Sequence, residues 1–238
     1  MAQVDLSSEA VAAVDSTAQA TEILDLSTHL QDALWRVDSA ALRPGPANGG
    51  LIVAGMGGSG IGGRLALAAL GVRAARPLTV VAGYALPPWT RVEDTVLCAS
   101  YSGTTEETLA CYDAAGGLGA RRIVATTGGA LAERARRDGV PVIPFPGGFQ
   151  PRAAVGYAMV VALEVAALVG VGPSLRTEVE AAAALARDLA IDWGPGAGEG
   201  SEVKVLARRL DGAVPAHRGR GGRRARAGPR DRMGPGRG

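Results

Sequence analysis

Two short segments of the chain place glycines and hydroxyl side chains directly after apolar runs. The first is GMGGSGIGG at 55–63, after residues 51–54, and the second is SYSGTT at 100–105, after residues 96–99. Glycines let an anion approach the backbone closely, the N–H groups at a helix start carry partial positive charge, and serine and threonine hydroxyls add donors. Two such loops on neighbouring strands predict a pocket for the phosphate of a small polar molecule.

The first segment also allows two other interpretations. Gly55, Gly57 and Gly60 match the G-x-G-x-x-G pattern of dinucleotide-binding folds, which calls for an acidic residue about twenty positions further on. Residues 78–84, which contain the next predicted strand, have no acid, so we expect no nicotinamide binding. A glycine-rich turn needed only for close strand-to-helix packing would explain the glycines, but neither Ser59 nor the hydroxyls of the second segment.

The hydrophobic pattern predicts alternating strands and helices that would hold these loops. The predicted strands are 51–55, 78–82, 95–100, 122–126 and 140–144, and the helices between them are 60–71, 105–115 and 130–138. The strands are continuous apolar runs, which is typical of a parallel sheet with both faces covered. Right-handed crossovers would place both loops at the carboxyl edge of the sheet. We predict an α/β fold with three layers.

Further helices are predicted on either side of the sheet region. One acidic-leaning helix at about 18–37 precedes it, with an apolar side formed by Ile23, Leu24, Leu26, Leu30, Leu34 and Trp35. Long helices are predicted at 152–170 and 174–190, then a linker at 194–200 and a helix from 202 to 210. The apolar stretch 153–171 is interrupted by Glu164, which favours a buried helix over a membrane span.

The last part of the chain differs in composition from the rest. Residues 216–238 contain eight arginines and one acid, whereas the first 215 residues contain 17 basic and 22 acidic residues. This tail lacks Val, Ile, Leu and aromatic residues, so we predict that it is disordered. A basic arm for nucleic acid or anionic lipid is one interpretation. We favour a frameshifted end, because the pattern breaks abruptly and shifted GC-rich codons yield Arg, Gly, Pro and Ala; we expect no nucleic-acid partner.

The two cysteines and the N-terminal residues bear on the cellular compartment. Cys98 and Cys111 are too few for a disulfide framework, and Cys98 is predicted to be a reduced core residue. The first residues include Asp5 and Glu9 and lack the basic segment and apolar block of a signal peptide. We expect a cytoplasmic protein without membrane contact.

Five motifs occur in one order along residues 50–170. They are GMGGSGIGG at 55–63, YALPPW at 84–89, SYSGTTEET at 100–108, TTGG at 126–129 and FQPRAAVGY at 149–157. Through them the chain resembles the bifunctional phosphoglucose/phosphomannose isomerases, a family built on the sugar isomerase (SIS) domain. The resemblance implies two SIS subdomains, a homodimer, and interconversion of glucose 6-phosphate or mannose 6-phosphate with fructose 6-phosphate. It also implies that neither a metal nor an organic cofactor is needed.

The resemblance assigns six residues to substrate binding. They are Gly57, Gly58 and Ser59 in the loop that faces the sugar, and Ser100, Ser102 and Thr105 in the phosphate clamp. Arg152 matches an arginine near the sugar's C1–C2 region, where a fixed cation would stabilise an enediolate. The alternative for Arg152 is a surface arginine at a helix start.

The chain also departs from the family. The glutamate base, the ring-opening histidine and a late lysine lie in the second subdomain, and no residue here matches them. His217 has no motif support, and Glu106 and Glu107 are better suited to starting a helix. We predict four parts: an N-terminal helical segment (1–45), an SIS domain (46–193), a linker with the start of a truncated second subdomain (194–215), and the tail (216–238).

Two functions follow from this comparison. In the first, the chain is the phosphosugar-binding half of an aldose–ketose isomerase, with little or no turnover by itself because the catalytic base region is missing. In the alternative, it is a non-catalytic phosphosugar-binding SIS module with a regulatory role.

Overall fold

A computed structural model describes residues 4–45 and 48–213 of the chain. The predicted tail at 216–238 lies outside the described residues. The sheet consists of β1 (Leu51–Ala54), β2 (Leu78–Val81), β3 (Thr95–Ala99), β4 (Arg121–Thr126) and β5 (Val142–Pro144). All neighbouring strands pair in parallel, in the order β2-β1-β3-β4-β5. The prediction of a parallel α/β sheet is confirmed, with strand ends within two residues of those expected.

Nine α-helices surround the sheet in the described ranges. They are α1 (Ser8–Val14), α2 (Gln19–Leu24), α3 (Leu26–Ser39), α4 (Gly57–Leu70), α5 (Glu106–Leu118), α6 (Gly129–Arg137), α7 (Val155–Leu168), α8 (Arg176–Trp193) and α9 (Glu202–Leu210). A short 3-10 turn, Gly71–Arg73, follows α4.

The two faces of the sheet contact different helices. Val53, Leu97 and Ile123 point into a core shared with α3, α4, α7 and α8. Their neighbours Ile52 and Val96 point into a second core, shared with α5 and α6. The strands therefore have buried residues on both faces, which explains their continuous apolar runs and confirms the three layers.

The N-terminal prediction of one helix at 18–37 is wrong, because this range contains two helices, α2 and α3, which meet at Asp25, and α1 precedes them. At the start of α2, the Asp15 carboxylate accepts hydrogen bonds from the N–H groups of Gln19 and Ala20 at 2.8 and 2.7 Å. Leu30 and Leu34 are buried as expected, but Ile23 and Trp35 are 70% and 62% exposed. Leu26 is also exposed, at 37%, so the predicted apolar side is wrong at these three positions.

The predicted start of α4 at residue 60 is also wrong, because the helix begins at Gly57. The run of glycines is thus mostly helical rather than a loop. A Cβ added at Gly62 would overlap Ala158 Cβ on α7, and one added at Gly63 would lie 2.9 Å from Val53 Cγ1 on β1. Close packing therefore accounts for these two glycines.

The apolar stretch after residue 153 forms the buried helix α7, as predicted. Its acid, Glu164, is satisfied by Arg176 of α8 at 2.6 Å, and Arg176 also binds Asp38 at 2.7 Å. Among the described residues, no helix combines the length and apolarity that crossing a bilayer would require. Cys98 and Cys111 are unpaired and buried, and burial raises the pKa of the Cys98 thiol, as expected of a reduced core residue.

Candidate functional site

The strand order places β1 beside β3, and the helices that follow these strands lie on opposite faces of the sheet. In open α/β sheets, ligands bind at the carboxyl edge beside such a point, where the loops that follow the two strands diverge. The loops begin close together, since a Cβ added at Gly55 would lie 2.8 Å from Ala99 O. The structure thus brings together the two segments that the sequence singled out.

The first of these segments supplies the N-terminus of α4. Gly57, Gly58 and Ser59 form its first turn; the N–H groups of Gly57 and Gly58 have no acceptor inside the helix, whereas Ser59 N donates to Met56 O at 3.1 Å. The preceding residue, Met56, provides no side-chain cap. Gly57 has a φ of +51° with open space around it, so its backbone conformation, rather than crowding, favours glycine. Ser59 is buried, with 8% of its surface exposed.

The second segment folds into a tight turn after β3. Ser100 is buried, and its Oγ lies 2.8 Å from Thr105 Oγ1 and accepts from Gly103 N at 3.1 Å. Ser102 is exposed, and its Oγ accepts from Thr104 N and Oγ1 at 3.3 and 3.1 Å. The three predicted clamp residues therefore lie in one turn immediately before α5.

Glu106 and Glu107 occupy the first turn of α5, where negative charge is favourable. Tyr84, from the loop after β2, donates its hydroxyl to Glu106 Oε2 at 3.2 Å. The charge of Glu107 and the hydrogen bond to Glu106 raise the pKa of Tyr84. Glu106 therefore has a partner of its own at the helix start, in agreement with the structural role expected for it.

A third loop, after β4, supports the turn after β3. Thr127 donates to Tyr101 O from its N at 3.1 Å and from its Oγ1 at 2.7 Å, and Leu131 N donates to Gly103 O at 2.9 Å. Gly103 has a φ of +70°, and a Cβ there would overlap Gly128 O. The TTGG motif thus buttresses the predicted clamp, a role that its sequence alone did not indicate.

The Arg152 segment lies against the same edge. A Cβ added at Gly58 would lie 2.7 Å from Pro151 O and 3.8 Å from Arg152 Cα, so this backbone packs directly on the start of α4. Arg152 is exposed, and it takes part in none of the ion pairs found within residues 4–45 and 48–213. The seven candidate residues are therefore grouped at one edge of the sheet.

Side chains of α3 pack against residues on both sides of Arg152. His29 is 4% exposed, and its ring centroid lies 4.7 Å from that of Phe149 and 5.4 Å from that of Tyr157. Burial lowers the pKa of His29, while nearby carboxylates, Asp25 first, oppose the shift. Tyr157 donates to Asp32 Oδ2 at 2.9 Å. Sequence reasoning missed this support, although Phe149 and Tyr157 both lie in the FQPRAAVGY motif.

The described residues contain no group of three or more His, Cys, Asp or Glu side chains arranged to hold a metal ion. What the site offers is a helix N-terminus, a turn rich in hydroxyls and an exposed guanidinium, all at one edge. These groups can hold an anion and stabilise negative charge that develops next to it.

The parallel five-stranded sheet flanked by helices is the fold of SIS-domain phosphosugar isomerases. A solved structure from Silicibacter pomeroyi, assigned as a phosphosugar isomerase, superposes with a TM-score of 0.53 at 21% identity, over 73% of this chain and 57% of that one. No protein-family model matches the chain.

Sequence relatives narrow the class further. The chain is 38% identical to a bifunctional phosphoglucose/phosphomannose isomerase of Caldicellulosiruptor bescii. The aligned 160 residues are 67% of this chain and 46% of the relative. It is 42% identical to the enzyme of the same name from Aquifex aeolicus. The aligned 111 residues are 46% of this chain and 35% of the relative. The chain is a homologue of the bifunctional phosphoglucose/phosphomannose isomerases, and it matches less than half the length of each of these two curated relatives.

Proposed function

We propose that the chain binds a hexose 6-phosphate at the carboxyl edge of its sheet. The observation that carries this proposal is the convergence of three anion-binding elements: the start of α4, the turn at 100–105 and the Arg152 segment. A phosphate would accept hydrogen bonds from Ser100, Ser102 and Thr105 and would lie at the N-terminus of α5. The sugar would then extend toward the first turn of α4.

We further propose that this binding unit is the phosphosugar-binding half of an aldose–ketose isomerase that connects glucose 6-phosphate or mannose 6-phosphate with fructose 6-phosphate. Isomerisation through an enediol places negative charge on the sugar's oxygens near C1 and C2. The guanidinium of Arg152 would stabilise that charge. The names of the sequence relatives support this reaction over the alternative of a regulatory module.

The reaction also needs a base that moves a proton between C1 and C2. Two of the carboxylates beside the site have other partners: Glu106 accepts from Tyr84 at 3.2 Å, and Glu22 accepts from Gln150 N at 3.4 Å. Glu107 lies in the first turn of α5, where its charge suits the helix start. We propose that the base belongs to the part of the relatives that this chain does not match. From the resemblance to the family, we also propose that a longer chain containing both halves forms a homodimer.

Calorimetric titration of the chain with fructose 6-phosphate tests the proposal. We expect saturable binding that glucose 6-phosphate displaces and unphosphorylated fructose does not, because the phosphate supplies the charged acceptor. NADH serves as a control ligand and should not bind. Equal binding of fructose and fructose 6-phosphate, or saturable binding of NADH in place of the phosphosugar, would contradict the proposal.

A further inference from the structure

Tyr101 connects three segments of the candidate site, and neither its motif nor its position in the sequence suggested a role. Its side chain is half-buried and packs against the core beneath α3 and α7. Its carbonyl oxygen accepts the two hydrogen bonds from Thr127 in the loop after β4. Its hydroxyl oxygen accepts a hydrogen bond from Phe149 N at 2.8 Å. Tyr101 itself belongs to the turn that carries Ser100 and Ser102.

The bond to Phe149 fixes the beginning of the Arg152 segment. Residues 149–154 contain no strand and precede the first residue of α7, so the amide of Phe149 has no ladder partner. Two residues further on, the carbonyl of Pro151 packs on Gly58 at the start of α4. The segment is therefore held at one point by the phenol of Tyr101 and at another by α4, and Arg152 follows directly.

We infer that Tyr101 is a positioning residue that couples the phosphate-binding turn to the Arg152 segment. The inference rests on the proposed function, because it assumes that the turn holds a phosphate and that Arg152 faces the sugar. The phenol oxygen contacts the segment at Phe149 N, and we expect it to make no direct contact with the ligand. Its loss should therefore weaken the interactions made by Arg152 and leave those made by the turn unchanged.

Tyr101→Phe tests this, since it removes one oxygen and keeps the ring in the core. We expect the affinity for fructose 6-phosphate to fall roughly five- to tenfold, as for the loss of one hydrogen bond, and the affinity for inorganic phosphate to stay the same. Tyr112→Phe is the matched control. It removes a tyrosine hydroxyl that bonds Asp138 at 2.9 Å on the opposite face of the sheet, and both affinities should be unchanged.

A double-mutant cycle separates positioning from a general structural effect. If Tyr101 acts through Arg152, then Tyr101→Phe should weaken fructose 6-phosphate binding in the parent but not in the Arg152→Ala background. Hydrogen exchange at the Phe149 amide should also become faster in Tyr101→Phe, at temperatures where the variant remains folded.

The outcomes distinguish this inference from the proposed function. A Tyr101→Phe variant that loses affinity for neither ligand, or for both equally, overturns the inference, and so do additive effects of the Tyr101 and Arg152 substitutions. A parent chain that binds neither ligand overturns the proposed function, and the inference falls with it.

Discussion

Gly103 shows how much of the site depends on a single residue type. Its positive φ is unfavourable for any side chain, and its α-carbon faces the carbonyl of Gly128. Gly139 has a similar φ, +66° against +70°, but nothing within 4 Å of an added Cβ. The pair therefore separates backbone strain from crowding.

We predict that Gly139→Ala lowers the free energy of unfolding by about 1 kcal/mol, the cost of a left-handed alanine. Gly103→Ala should cost at least about 1 kcal/mol more, since the loop after β4 must move as well. Urea unfolding of both variants measures the difference. Equal losses of unfolding free energy in the two variants would mean that the loop after β4 moves without cost and does not support the turn after β3.

Ser102 is the clamp residue best suited to a binding test. It is exposed, and its hydroxyl bonds only within its own turn, whereas Ser100 is buried and supports Gly103 N. We predict that Ser102→Ala weakens fructose 6-phosphate binding by roughly 1.5–3 kcal/mol, the usual range for a bond to a charged group. Its thermal stability should be unchanged.

Ser39→Ala, at the exposed end of α3, is the matched control for calorimetry. Adding Ser100→Ala should weaken binding further. Full affinity in the doubly substituted chain would remove the turn at 100–105 from the phosphate site.

His29 should make the stability of the fold depend on pH. Its pKa in the folded protein is lowered by burial from the ordinary value of 6.5. Between the folded pKa and 6.5 the unfolded chain binds a proton that the folded chain does not, so stability falls as the pH falls through this window. Above it, His29 is neutral in both states and contributes no pH dependence.

We therefore predict a larger loss of unfolding free energy for the parent than for His29→Gln when the pH is lowered from about 7.5 to about 5.5. Urea unfolding at the two pH values gives the comparison, and the carboxylates common to both proteins cancel. Identical losses would show that His29 titrates normally in the folded state.

At the level of elements, the contact between α4 and α7 is the closest helix packing near the site. It depends on Gly62, because a Cβ there would overlap Ala158 of α7. Gly117 in α5 has open space around it instead. We predict that Gly62→Ala destabilises the protein by about 1–3 kcal/mol through overpacking. Gly117→Ala should stabilise it by up to about 1 kcal/mol through helix propensity.

In thermal unfolding, we expect the Tm of Gly62→Ala to fall and the Tm of Gly117→Ala to rise. Because α4 also carries the first turn of the site, Gly62→Ala should reduce phosphosugar affinity as well. An unchanged Tm in Gly62→Ala would mean that α4 and α7 can move apart without loss of stability.

The elements also show which parts of the structure the sequence could predict. The strands were predictable because burial on both faces makes each a continuous apolar run. The start of α4 was not, since GGSG resembles a loop and only tertiary packing makes it helical. The division of the N-terminal region was missed because neither of its breaks contains Gly or Pro. The break between α1 and α2 depends on Asp15 and the left-handed Ala18, and the break inside the predicted helix lies at Asp25.

The site was predictable in part for a related reason. Its two loops follow strands and carry recognisable glycines and hydroxyls, so local pattern was sufficient to find them. The contacts that fix them are long-range: Tyr101 and Phe149 are 48 residues apart, and Glu22 and Gln150 are 128 apart. No local pattern encodes such pairs.

At the level of the whole molecule, binding and turnover are expected to separate. The described chain groups the residues that would hold a phosphosugar, whereas the relatives extend well beyond the matched part. Exposed apolar side chains on the last described helix, Leu206 at 55% and Leu210 at 41%, offer a surface for further structure.

We predict that this chain shows little or no isomerase activity, and that a chain whose reading frame is restored after Pro215 is active. A positioned base contributes about 10²- to 10⁴-fold to proton transfer, so turnover without one should be lower by at least about that factor. A coupled assay with fructose 6-phosphate compares the two proteins, and Arg152→Ala in the restored chain shows whether the measured rate uses this site. Normal turnover by the chain as it stands would mean that it already contains the base, with Glu106, Glu107 and His217 the first residues to substitute.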